Sequence, residues 1–533
     1  MELGTYQYGN MVLVGVIIYM LVMLGIGWWS SKRVKNSTDY IVAGRRLPLF
    51  LTIGTLFATW FCAGTLMGAT AQSYLWGNQG VIFDPWGAGL CLILTGIFFA
   101  RIMRRGGYLT LVDFFDIRYG RKMGIASAIV LVVAEIGWVG AQLVAFGSIL
   151  QIFTGLPLAY GIIISCAVLI LYTYLGGMWS VTLTDVVQMI ILIVGIIVML
   201  PYALNAIGGW DYFVANASNW GELPAFSMAP TAEEGYLWYF GIPGWFYYIG
   251  AWMAIGLGSI PAQDLMQRLL SAKDEKVAVT GSYVSGLMYL VIGMIPVMLG
   301  IIMFELNADL AIPETEMILP WMAMNFLPPV LTVIFVAGLV AALMSSSDSA
   351  ILAASSMIGY NGMKYIKPDV TSEETLKVTR AFVPVIAIGS LLLALFAETI
   401  YFLVVIAWSI ILVGLFAPYA AGYFWKKCNE FGALAGLISG FVSWIALSYY
   451  YFYAETAAAN VGILEEGVVY TEWAIWDAVY IASVPAFFIS VVMMILISLF
   501  TAKSNPAKPL ADMEGKPLPL VNWLGWGFNK KTS

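Results

Sequence analysis

The chain has 533 residues, 61% of them hydrophobic and 11% charged. Soluble domains hold roughly 45–50% apolar and about 25% charged residues, so a water-soluble fold could not hide this much apolar surface. The net charge of −6 argues against nucleic acid as a partner, and the absence of histidine removes imidazole proton relays and histidine metal ligands.

A membrane-crossing helix needs about 20 apolar residues in succession. Such runs recur from Met11 to Thr501, and thirteen spans are predicted, starting near residues 11, 49, 80, 124, 157, 184, 236, 278, 328, 380, 399, 432 and 474. The first run has no basic residue ahead of it and no small-residue cleavage pattern, so it reads as a retained helix rather than a signal peptide. The second is interrupted by Gly54, Ala63 and Gly64 around Thr55, Thr59 and Trp60, and the seventh by Gly256, Gly258, Ser259, Pro261 and Gln263. A broken helix exposes free carbonyls and amides. The two interruptions open two sets of five spans with opposite threading, the inverted repeat of many secondary transporters. Glycine also serves close helix packing, which is the alternative reading of the same residues.

Asp84, Glu135, Asp185, Asp264 and Asp348 fall within or at the edges of spans, where an uncompensated charge costs roughly 2.5–3.5 kcal/mol. In the ninth span, Ser345, Asp348 and Ser349 are three and four residues apart and share a helix face, with Ala342 one turn earlier. Hydroxyl and carboxylate oxygens suit a hard cation such as sodium. The same serines also suit a helix interface held by small polar residues. Cys62, Cys91, Cys166 and Cys428 lie in or beside spans without paired spacing, so neither a disulfide framework nor a metal site is expected.

Lys and Arg collect on cytoplasmic links. The basic residues, from Lys32, Lys35 and Arg45 to Lys503, follow odd-numbered spans, whereas the opposite links carry acids, among them Asp211, Glu233, Glu234, Glu305, Glu316, Glu455 and Glu466. The expected topology has the N-terminus outside and the C-terminus in the cytoplasm of a multi-pass cell-membrane protein. Residues 1–503 then form one transmembrane domain, with repeats at about 49–205 and 236–424, and residues 504–533, containing Pro506, Pro509, Pro517 and Pro519, form a short tail.

Several longer motifs occur in order between Asp39 and Lys427. They are Ala58-Thr59-Trp60, Gly107-Tyr108-Leu109-Thr110, the run from Tyr172 to Gln188, Ile260-Pro261, Met317-Ile318-Leu319-Pro320, and Ala341 to Met357. In these the chain resembles the sodium/solute symporter family, and within it high-affinity choline transporters. The resemblance implies an all-α membrane protein with a LeuT-like fold, in which one helix precedes two inverted five-helix repeats within thirteen transmembrane helices. It also implies Na+ as coupling ion and a small organic solute as cargo, with lipid around the chain and no obligatory protein partner. Motif by motif, it implies a main sodium site from carbonyls of Gly54, Phe57 and Ala342 and hydroxyls of Ser345 and Ser346. A further sodium site would involve Asp185, with Asp348 and Ser349 beside it. Choline-type members hold a quaternary ammonium in an aromatic cage, to which Trp60 and Trp138 correspond. Two cage rings are replaced, by Ala262 and by Ala88, while Asp264, Asp84 and Glu135 stand near the same positions. Aromatic attraction partly replaced by charge suits a larger or primary-amine cation, with choline or a betaine also open; a neutral amino acid, sugar or carboxylate is the alternative cargo.

An ion channel would need a ring of filter loops, and no repeated pore loop is present. An intramembrane aspartyl protease would need a Gly-x-Gly-Asp context, whereas Asp185 follows Thr182-Leu183-Thr184. The expectation is therefore a transporter and not an enzyme.

Overall fold

The computed structural model describes residues 8–220, 224–230, 235–237, 239–310, 312–396, 400–462 and 471–518. Glu233, Glu234, Glu466, Pro519 and the tail beyond Leu518 lie outside the described residues, as does the side chain of Glu455. The described part is helical, with three isolated β-bridges as its only extended pairings.

The first helix, α1 (Gly9–Ser31), shows how apolar residues are divided in such a fold. Val12, Val16, Tyr19 and Met23, spaced by three and four, turn inward, while Val14, Ile18, Leu21 and Val22 remain exposed. An exposed apolar face of this kind requires lipid rather than water around it.

The second span is two helices, α2 (Leu49–Trp60) and α3 (Gly64–Gly80), bent by 58°. The break lies at Phe61–Ala63, where the freed Ala63 amide donates to Gln142 Oε1 at 3.0 Å. Gly54, expected at the interruption, sits instead inside regular helix, where a Cβ would come within 2.5 Å of Val186 Cγ2. Its role is close packing. The third span is α4 (Ile82–Phe98) and α5 (Ala100–Gly106), bent by 57°, followed by the short α6 (Leu111–Arg118) and the long α7 (Arg121–Thr154).

The fifth and sixth spans, α8 (Leu158–Leu171) and α9 (Gly176–Ala206), run on from one another with a kink at Gly177. Its φ of +58° favours glycine, and a Cβ there would meet the Tyr40 ring at 2.5 Å. The seventh span is again broken, into α10 (Gly241–Gly256) and α11 (Gln263–Ser271), with Pro261 in the break unable to donate a backbone hydrogen bond. There follow α12 (Glu275–Leu306), the short α13 (Ile318–Phe326), α14 (Pro329–Ile366), α15 (Ser372–Phe396), α16 (Leu403–Phe424), α17 (Glu430–Tyr453) and α18 (Asp477–Phe500). The last two pack chiefly on each other.

Among the described residues nine helices are long and apolar enough to cross a membrane, or eleven if each of the two bent pairs, α2 with α3 and α4 with α5, is one crossing. The two other expected spans correspond to the shorter α8 and the broken α10–α11 pair. The tail from Ala507 to Leu518 does not hang free. It folds back so that Tyr108 donates to Ala511 O at 2.6 Å and the Met513 amide to Gly106 O at 3.1 Å.

Candidate ion and solute site

The last four carbonyls of a helix have no intrahelical partner, so ending α2 at Trp60 leaves oxygens to be satisfied from elsewhere. Three of them find different answers. Phe57 O accepts the Phe61 amide at 3.0 Å, Ala58 O accepts Ser345 Oγ at 2.8 Å, and Trp60 O lies 2.9 Å from the Tyr289 hydroxyl. Ser345 Oγ also lies 3.0 Å from Ala342 O, and Ser346 Oγ is 3.5 Å from Ala58 O. Four oxygen sources therefore converge between α2 and α14: the carbonyls of Ala58 and Ala342 and the hydroxyls of Ser345 and Ser346. The carbonyls expected there, Gly54 and Phe57, belong to the same helix, the first inside its regular turns and the second accepting the Phe61 amide. Among the described residues no three His, Cys, Asp or Glu side chains gather as a metal cluster. Carbonyls and hydroxyls are what remains for a hard cation.

About one helical turn before Ala58, Thr55 Oγ1 donates to Asp185 Oδ2 at 2.5 Å, while Thr59 Oγ1, next to Ala58, lies 3.3 Å from Ser349 Oγ. Ser349 Oγ also receives a hydrogen bond from Arg268 Nη2 and lies 3.4 Å from Asp348 Oδ1. Asp185, Ser349 and Asp348 are thus drawn into one buried chain through two threonines, and Asp185 Oδ1 is left with no hydrogen-bond partner.

At the end of α2 stand three indoles. Trp408 of α16 lies 4.9 Å from Trp138 and 6.0 Å from Trp60 between ring centroids, and all three are at most 2% exposed. Trp60 Nε1 donates to Asp264 Oδ2 at 3.0 Å. Glu135, one turn before Trp138 on α7, accepts the Asp264 amide at 3.2 Å through Oε1, while its Oε2 has no partner. Arg268 is fully buried, but its Nη1 bonds the Asp264 carbonyl oxygen rather than the carboxylate. Among the described residues the five ion pairs present lie at helix ends, on the links and in the tail, and none joins the buried carboxylates of this site.

Asp84 occupies a neighbouring pocket. Thr65 Oγ1 donates to its Oδ2 at 2.8 Å, and the Tyr289 hydroxyl is 3.1 Å from its Oδ1. The same Tyr289 reaches Trp60 O, so Asp84 approaches Trp60 at its backbone end and Asp264 approaches it at its indole end. Ala262 is fully buried in the α10–α11 break. Beside it, a Cβ on Gly258 would fall 2.7 Å from Trp408 O, so the break presses against the backbone that carries the third indole.

Sequence reasoning missed Trp408, Ala58 and Tyr289. A lone tryptophan in an apolar run carries no periodic signal, and which carbonyl is freed depends on the residue at which the helix stops.

Residues 40–440 match the family model described as the Sodium:solute symporter family. The human high affinity choline transporter 1 is 31% identical over 450 residues, covering 80% of this chain and 75% of the relative. A sodium/glucose cotransporter from Vibrio parahaemolyticus is 25% identical over 448 residues, covering 79% and 82%. Among solved structures, a Na+-coupled sialic acid symporter in a substrate-bound outward-open state superposes with a TM-score of 0.73 at 19% identity, covering 96% of this chain and all of the other. That likeness identifies the fold as LeuT-like, with two inverted five-helix repeats.

Proposed function

This chain belongs to the sodium:solute symporter family, a multi-pass membrane protein that couples sodium to the movement of a small solute and is not an enzyme; from that premise we propose that the solute is an organic cation. The observation that carries the proposal is the cluster of Trp60, Trp138 and Trp408, with the Asp264 carboxylate on the Trp60 indole and Glu135 on the Asp264 amide. Indole faces attract cations by about 0.5 to 2 kcal/mol each, more where water is excluded. A carboxylate oxygen without a partner, such as Glu135 Oε2, favours a positive guest over a neutral one. Choline is the first candidate because the similar relatives are choline transporters, with betaines and larger amines next.

Sodium is read at two places. The main site is assigned to Ala58 O, Ala342 O, Ser345 Oγ and Ser346 Oγ, and a further one to Asp185 with Ser349 and Asp348 near it. The N-terminus is assigned to the outside and the tail from residue 504 to the cytoplasm, because the basic links follow the positive-inside pattern. Solute moves when the two repeats rock about the midplane between outward-open and inward-open states.

The test is a thermal-shift screen in sodium buffer with choline, betaines, amines, amino acids, sugars and carboxylates, repeated with Trp60→Ala and Asp264→Asn. The expected result is a cationic ligand whose shift both substitutions reduce. A neutral or anionic ligand that ignores both overturns the reading.

A further inference from the structure

Where α1 leaves the apolar region, its last turns carry Trp28 and Trp29, 59% and 53% exposed, followed by Lys32, Arg33 and Lys35. Lys32 lies over the Trp28 ring at 3.9 Å and Arg33 over the Trp29 ring at 4.5 Å. Lys32, Arg33 and Lys35 form one wall of a cleft of about 880 Å³, whose other walls are the short helix Ser37–Val42, Gly44, Arg46 and Trp179 at the start of α9. Four basic side chains line it against one acid, Asp39. That acid is already engaged, by Arg46 Nη2 at 2.6 Å and by the Lys35 amide at 3.2 Å. Lys32, Arg33 and Lys35 form no ion pair among the described residues.

The cleft is built rather than incidental. Gly44 has φ +60°, and a Cβ there would come within 2.6 Å of Asp39 Oδ1 and 2.7 Å of Arg46 Nε, so glycine lets the loop close over the pair. The same loop is stitched to the end of α11, Leu47 donating to Ser271 O at 3.0 Å and Lys273 donating to Leu47 O at 2.9 Å. Arg46 and Arg33 both stand over the Trp179 ring, at 5.6 and 5.4 Å. Below the cleft, α1 presents its exposed Ile18, Leu21 and Val22 to the bilayer. A ligand that fills this place combines a negative headgroup with an apolar body.

We propose that the cleft between the end of α1 and the start of α9 binds the phosphate headgroup of an anionic phospholipid, with its acyl chains along the exposed face of α1. The interfacial tryptophans fix the depth of α1, and the cations supply charge that zwitterionic lipid does not reward.

The full-length protein in detergent, examined by native mass spectrometry, is titrated with phosphatidylglycerol, with phosphatidylcholine of the same acyl chains, and with inorganic phosphate as competitor. Three unpaired cations at a membrane surface imply a preference for phosphatidylglycerol on the order of 100-fold. The triple variant Lys32→Gln, Arg33→Gln, Lys35→Gln removes no ion pair and is expected to abolish that preference. Single Lys32→Gln and Lys35→Gln, both at exposed positions, are each expected to lower it about fivefold, which keeps the test open if the triple variant folds poorly. Equal affinity for the two lipids, or an unchanged preference in the variants, overturns the proposal. Displacement of phosphatidylglycerol by inorganic phosphate also overturns it, because it identifies a site for a soluble anion.

Discussion

Trp60 and Asp264, joined by a 3.0 Å hydrogen bond from indole Nε1 to Oδ2, connect the end of α2 to the start of α11. The broken second and seventh spans therefore meet at one contact, and that contact also faces the aromatic cluster. Asp264→Asn keeps an acceptor for the indole and removes the charge. We expect the apparent affinity for a cationic solute to fall about tenfold or more, since charge-assisted contacts are worth roughly twice neutral ones. Thermal stability should stay near that of the parent. Asp264→Ala also leaves the buried indole N–H unsatisfied, at a cost of about 1–3 kcal/mol. Uptake KM and unfolding midpoints for the two variants separate charge from packing; an unchanged KM in Asp264→Asn would remove Asp264 from the solute site.

The sodium assignment makes Ser345 and Ser346 unequal. Ser345 Oγ touches two carbonyls at 2.8 and 3.0 Å, whereas Ser346 reaches only Ala58 O, at 3.5 Å. Each alanine variant removes one oxygen ligand and almost no volume. We expect the sodium concentration for half-maximal uptake to rise about tenfold in Ser345→Ala and by a smaller factor in Ser346→Ala, with solute KM at saturating sodium nearly unchanged. Normal sodium activation in both would leave these serines as helix-packing residues.

Trp408→Ala deletes the central ring of the three, while Trp408→Phe keeps an aromatic face with a weaker quadrupole. The expected order of affinity for a cation is parent, then Phe, then Ala, and the alanine variant should lose on the order of 2- to 30-fold from the ring interaction alone. The cavity left behind destabilises the fold as well, by about 3–5 kcal/mol if the neighbours do not collapse into it. For this reason the Phe variant is the decisive one. A phenylalanine variant indistinguishable from alanine in affinity, though stably folded, would make Trp408 a packing residue.

What the sequence conveyed and what it withheld follow from the same physics. Helix starts were legible because apolar runs end where polar links begin, and α2, α12, α14 and α17 begin within three residues of the expected positions 49, 278, 328 and 432. The face shared by Ser345 and Ser349 was legible from helical spacing, and both hydroxyls do meet the end of α2, at Ala58 and Thr59. The location of the break was legible in part: Ala63 and Gly64 mark it, whereas Gly54 lies inside regular helix. The chain stops being helical at Phe61, where Gln142 from α7 is available to take the Ala63 amide. A partner 79 residues away leaves no local trace. The same holds for Trp408, whose meaning depends on two rings brought to it by α2 and α7.

The last expectation concerns charge carried per cycle, because it tests coupling and cargo together. A tenfold sodium gradient supplies about 1.4 kcal/mol per ion, and 100 mV of membrane potential supplies about 2.3 kcal/mol per charge moved inward. With one sodium ion the two together concentrate a neutral solute on the order of 500-fold. A monovalent cation gains the potential a second time, because it carries its own charge. In proteoliposomes the sodium gradient and the potential can be set independently, and the solute accumulation ratio read at steady state. Its dependence on the sodium gradient counts sodium ions, at about tenfold per ion for each tenfold gradient. Its dependence on potential counts total charge, at about fiftyfold per charge for each 100 mV. We expect the total charge to exceed the sodium count by one, and accumulation to persist when the proton gradient is collapsed but not in potassium-only buffer. Equality of the two counts would identify a neutral or zwitterionic cargo while leaving sodium coupling intact, and equal uptake in potassium would remove the coupling itself.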